Sequence, residues 1–170
     1  MAGKLTAATA GVAKSIRENN NMSEPTEIDL SYLAGFFDGE GCIDTTRRSL
    51  RVTLTNIQTK VLEISQRFWG GSIQSIGKAT KARAWQLHGK DAVAFLKDIV
   101  PYLHIKHAQA ILAIELNSRG NLRHLQTLDT PTNILEEEKS YRDWLKYKMR
   151  YLRGRGTKTR EIPSRQHHGA

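Results

Sequence analysis

The segment from Ile28 to Gly41 constrains this chain more than any other. Ile28, Tyr32, Leu33, Phe36 and Phe37 recur at helical spacing, which predicts a helix from Ile28 to about Asp38. Gly39-Glu40-Gly41 predicts its stop. Gly35 and Gly39 stand one turn apart on one helical face, although glycine costs about 1 kcal/mol per site inside a helix. A face without side chains lets a second backbone approach through van der Waals and weak Cα–H···O contacts. A helix buried against its own core is the plainer alternative. Asp38 and Glu40 tip the balance, because carboxylates at a helix C-terminus meet the negative end of its dipole. A divalent cation would resolve that conflict, and hard cations favour carboxylate oxygen.

Downstream, alternation predicts a hairpin of strands at Cys42 to about Arg48 and Leu50 to about Asn56. A helix follows over Lys60 to Trp69, ended by Gly70-Gly71. The order then recurs: strands over Ser72–Ile76 and Arg83–His88, a helix from Lys90 to about Val100, and another from His107 to about Asn117. A last helix is expected after Pro131, continuing to about Leu152. The fold class is α+β, in the order α-β-β-α-β-β-α, with a four-stranded antiparallel sheet, helices on one face and extra C-terminal helices. One domain is expected over residues 25–152, between a disordered arm over 1–24 and a flexible basic tail over 153–170.

Bulk properties narrow the partners. The net charge is +9, which favours a polyanion such as nucleic acid or an anionic membrane surface. No apolar run approaches the roughly 18 residues of a spanning helix, which excludes an integral membrane protein. Cys42 is the only cysteine, so a secreted disulfide scaffold is excluded and a reducing intracellular compartment expected, prokaryotic cytoplasm or organelle interior. No Cys/His set has zinc-ligand spacing.

The string Leu33-Ala34-Gly35-Phe36-Phe37-Asp38-Gly39-Glu40-Gly41 resembles the nine-residue signature of the LAGLIDADG homing endonucleases. The resemblance implies that Leu33, Ala34, Gly35, Phe37, Asp38 and Gly39 lie in an interface between two copies of this helix. It also implies that Glu40, with Gly39, holds Mg²⁺, with Mn²⁺ substituting and Ca²⁺ supporting binding without cleavage. One copy of the string implies a homodimer and a near-palindromic target. Glu40 stands where the signature has Asp; the longer arm keeps the charge and shifts the metal position. Pro101 to Ala110 is similar to a stretch before a long helix in the family, which makes Lys106 the candidate for stabilising charge on phosphate. Gln58 matches a position that orders water, whereas the basic residue often found one turn later falls near Leu62. The Trp69-Gly70-Gly71-Ser72-Ile73 junction completes the resemblance, which spans about residues 28 to 118.

Strand alternation turns Ile43, Val52, Leu54, Ile73, Trp85 and Leu87 to the helices. The opposite face carries Asp44, Thr46, Arg48, Arg51, Thr53, Thr55, Gln74, Gln86 and His88, a polar, hydrogen-bonding and net basic set suited to base edges in a major groove. Lys78, Lys81 and Arg83 are expected to grip phosphate. The expected activity is site-specific double-strand cleavage of DNA, of the intron- or intein-homing type, by a homodimer without a small-molecule substrate. The alternative is an RNA-binding intron maturase that does not cleave.

Overall fold

The computed structural model describes residues 24–45, 50–77, 80–118 and 131–152. The expected arm and tail, and the positions of Thr46, Arg48 and Lys78, lie outside the described residues, except for Glu24 at the end of the arm. The chain divides into two compact units, one ending at His107 and the other beginning at Ala108, within the span expected as a single domain.

Helix α1 (Glu27–Glu40) begins at Thr26, whose side chain accepts from the Asp29 backbone N–H while the Asp29 carboxylate accepts from the Thr26 N–H. This reciprocal box satisfies donors that the first turn leaves open. α1 leads directly into β1 (Gly41–Thr45), followed by β2 (Leu50–Asn56), α2 (Thr59–Trp69), β3 (Ser72–Ser75), β4 (Arg83–His88) and α3 (Gly89–Ile99). The sheet is fully antiparallel in the order β1-β2-β4-β3.

Register sorts the sheet into two faces. Ile43 pairs with Val52 and Val52 with Leu87, while Leu54 pairs with Trp85 and Trp85 with Ile73. All of these but the half-buried Ile73 are closed to solvent. On that face Phe95 of α3 is the hub of an aromatic cluster, with ring centroids 5.2 Å from Phe37, 5.0 Å from Trp69 and 5.1 Å from Trp85 in edge-to-face geometry. The buried indoles are satisfied: Trp69 donates to Asp98 and Trp85 to the Gly70 carbonyl, each at 2.7 Å. Gly71 holds φ +85°, and a Cβ there would meet the Gln86 carbonyl at 2.5 Å, so the turn into β3 needs glycine.

After α3, a 3₁₀ turn (Val100–Tyr102) leads to the His104–Lys106 bend. The second unit, from Ala108 on, contains all but the first residue of α4 (His107–Ser118) and the whole of α5 (Thr132–Leu152). Within it, Tyr141 donates to Glu115 at 2.6 Å and Gln109 donates to the Leu152 carbonyl at 3.1 Å. Arg142 donates to Glu138 at 2.8 Å. Among the described residues no helix is long and apolar enough to cross a membrane.

Candidate active site at the C-terminal end of helix α1

α1 is apolar on two sides. Leu33, Ala34 and Phe37 are buried in the core of the chain. Ile28, 81% exposed, Tyr32, 54% exposed, Gly35 and Gly39 instead form a stripe open to solvent. A Cβ added at Gly35 or Gly39 would meet nothing within 4 Å. The residues expected at a helix–helix interface thus separate into an inward set, Leu33, Ala34, Phe37 and Asp38, and an open set, Gly35 and Gly39. Ile28 and Tyr32, read in sequence only as part of one apolar set, belong with the open stripe.

α1 continues through Gly39 to Glu40, past the expected stop near Asp38, and its last turn carries no basic residue. The Gly41 N–H caps the Phe37 carbonyl. A Cβ on Gly41 would lie 2.2 Å from the Phe37 ring, so close approach fixes this glycine. Glu40 is exposed at the tip.

The two acidic residues have separate fates. Asp38 is 7% exposed, and its carboxylate turns into the His104–Lys106 bend. Its Oδ2 accepts from the backbone N–H groups of His104 (2.7 Å) and Ile105 (3.1 Å), and its Oδ1 from that of Lys106 (2.8 Å). The Lys106 ammonium donates in turn to the Asp38 carbonyl. Burial works to raise the Asp38 pKa, but the three N–H donors and the Lys106 charge outweigh it and hold the carboxyl below its ordinary range. Lys106 therefore supplies the positive charge missing from the end of α1, two residues before Glu40.

Gln58 is exposed at the N-cap of α2, its backbone N–H held by Asn56 Oδ1 at 2.8 Å. Leu62, where a basic residue was sought, is fully buried. Among the described residues, no three or more His, Cys, Asp and Glu side chains gather to hold a metal. The chain offers Glu40 as an exposed hard-oxygen donor, with the Gly39 carbonyl in the same turn. That sparse set fits a cation of the Mg²⁺ type, which keeps water and takes substrate oxygens.

The sheet face away from the helices carries Cys42, Asp44, Arg51, Thr53, Thr55, Ser72, Gln74, Gln86 and His88 by register, with the small Ala84 buried among them. Sequence reading missed Cys42 and Ser72, which follow from the same alternation once the pairing is known. Arg51 and Asp44 are cross-strand partners, joined by a 3.0 Å ion pair. Formal charge on the described part of this face is therefore balanced, and it is a polar surface more than a basic one. Arg51 Nε is buried without a hydrogen-bond partner. Lys81 and Arg83 are exposed at the start of β4.

Known proteins can be set beside this geometry. No curated protein sequence matches the chain significantly. The homing endonuclease I-CvuI, crystallised in complex with its target in the presence of 2 mM Ca, aligns with a TM-score of 0.56 and 20% identity over 80% of this chain and 88% of that one. The archaeal intron-encoded homing endonuclease I-Vdi141I, complexed with DNA, aligns with a TM-score of 0.58 and 16% identity over 80% and 91% of the two chains. The sequence profile of the LAGLIDADG-like domain matches residues 27–99, which run from the first turn of α1 to the last of α3. Residues 27–99 are thus similar to the LAGLIDADG-like domain, and the chain shares the fold of these two homing endonucleases.

Proposed function

We propose that this chain is a metal-dependent, site-specific double-strand DNA endonuclease of the homing type, acting as a homodimer on a near-palindromic target. The observation that carries this reading is the open stripe Ile28-Tyr32-Gly35-Gly39, which runs along α1 to the exposed Glu40. Two-fold packing of two such stripes would bring two Glu40 carboxylates together over one duplex. DNA in the complexes of I-CvuI and I-Vdi141I supports the substrate class.

In this reading Glu40 and the Gly39 carbonyl hold a divalent cation, Mg²⁺ or Mn²⁺, while Ca²⁺ supports binding alone. When bound, such an ion supplies Lewis acidity and an activated water for phosphodiester hydrolysis. The chain's own groups do the rest. The Lys106 ammonium offsets charge developing on phosphate, and the Gln58 amide orients water. Arg51, Thr53, Thr55, Gln74, Gln86 and His88 read base edges, while Lys81 and Arg83 hold backbone phosphate. Asp44 would set the direction of the Arg51 guanidinium through their ion pair.

The test is cleavage of a duplex-target library in Mg²⁺ by wild type and Glu40→Gln. We expect cutting at one near-palindromic sequence and a loss of roughly 1,000-fold or more in the variant, with affinity in Ca²⁺ retained. Normal cleavage by Glu40→Gln would overturn the role of the carboxylate. A chain that stays monomeric on DNA in light scattering would overturn the homodimer. Absence of cleavage with tight binding of structured RNA would transfer the reading to a maturase.

A further inference from the structure

The sequence pairs Asp38 and Glu40 as two carboxylates at one helix end, yet only Glu40 is open to a ligand. Asp38 spends both oxygens on three successive backbone N–H groups, 66 to 68 residues away in sequence. Backbone donors are fixed in direction, so three converging on one carboxylate set both the position and the orientation of the His104–Lys106 bend. Lys106 is held at two points: its N–H on the Asp38 carboxylate and its ammonium on the Asp38 carbonyl. A lysine has several rotatable bonds and ordinarily roams, which costs entropy whenever it must be in one place. Here one residue of α1 restrains both its backbone and its charge.

We propose that Asp38 is a positioning residue, which presents the Lys106 ammonium and the Glu40 carboxylate together at one end of α1. This rests on the endonuclease reading and deepens it. Asp38 itself touches neither substrate nor metal; it acts through Lys106. Asparagine at position 38 keeps the shape but replaces one acceptor oxygen with an NH₂ donor, which opposes an N–H of the bend. The bend would then shift, and a displacement of about 1 Å at a reacting centre is enough for roughly 100-fold in rate.

A double-mutant cycle in single-turnover cleavage tests this, using Asp38→Asn, Lys106→Met and the pair, with duplex affinity measured in Ca²⁺. Asp38→Asn should lower the cleavage rate by roughly 10- to 100-fold and change affinity by less than about 3-fold. In the Lys106→Met background the same change should cost less than about 3-fold, because the group being positioned is gone. Equal losses in both backgrounds, or no loss in either, would overturn the proposal, since a merely structural role lowers both alike. If Asp38→Asn does not fold, Asp38→Glu, which moves the carboxylate by one methylene, takes its place in the cycle with the same two outcomes. If wild type cuts no duplex, the endonuclease reading fails by itself. Amide exchange at His104, Ile105 and Lys106 then decides the placement: loss of protection in the position-38 variant supports it, and unchanged protection overturns it.

Discussion

The two ends of α1 are finished in opposite ways. At the N-terminal end the first turn closes on itself, with Thr26 and Asp29 exchanging hydrogen bonds across three residues. At the C-terminal end nothing local suffices, because the last turn carries two acids and no base. Compensation there comes from the His104–Lys106 bend, 66 to 68 residues on. A locally capped end needs only its own sequence. An end capped from afar needs the rest of the first unit folded beneath it, and it fixes groups from two segments relative to each other. Chemistry that requires a carboxylate and a cation at set positions is served by the second kind of end.

The largest expected effect breaks that remote cap. Asp38→Ala leaves three N–H donors of a bend without their charged acceptor, which should cost roughly 3 kcal/mol. Thr26→Ala at the opposite end removes an N-cap and should cost about 1 kcal/mol. Urea unfolding of both variants makes the comparison, and equal losses would show that the remote contacts add nothing beyond an ordinary cap.

The glycines of α1 sharpen the contrast at intermediate size. Gly41 faces inward, where an added Cβ would sit 2.2 Å from the Phe37 ring, itself packed edge-on to Phe95. Gly41→Ala should therefore destabilise by roughly 1–3 kcal/mol through overpacking. Gly35 faces open space, and Gly35→Ala should stabilise the isolated protomer by about 0.5–1 kcal/mol through helix propensity. The same change should weaken self-association on DNA if the stripe is the contact between copies. Thermal melts and sedimentation give the two readings. A stability gain with intact self-association would remove the stripe from the interface.

Much of this was legible in the sequence, for reasons that differ by element. The period-two pattern of Val52, Leu54, Trp85 and Leu87 fixes which side of each strand is wet, and the observed register keeps all four inside. The strand order β1-β2-β4-β3 is not written in any local pattern, since it depends on which edges pair after the helices cross. The glycine spacing pointed to an open stripe, and Gly35 and Gly39 lie on one. The division of the apolar residues was hidden, because α1 is apolar on both sides and periodicity cannot say which side meets the chain's own core. Asp38 was hardest to read. Its partners are backbone N–H groups, which every non-proline residue carries, so no side-chain signature marks the bend that holds it.

The smallest expected effect concerns the local cap and has a definite sign with pH. Asp29 Oδ2 accepts from the Thr26 hydroxyl at 2.7 Å and from the Thr26 N–H at 3.0 Å. The hydroxyl bond first, then the backbone bond, outweigh a small desolvation and hold the carboxyl below the ordinary value of 3.8. A carboxyl depressed in the folded state binds its proton more readily when the chain unfolds, so it stabilises the fold at neutral pH. That contribution is present above 3.8 and is lost as pH falls through the lower folded value. Melting temperatures of wild type and Asp29→Asn, followed from pH 7 downwards, should therefore differ at neutral pH and converge below 3.8. Asp38 is depressed in the same direction, but it is common to both proteins and drops out of the difference. A gap that persists undiminished at low pH would mean that asparagine fails at position 29 for geometric reasons, and that the charge of the box contributes nothing to holding this end of α1.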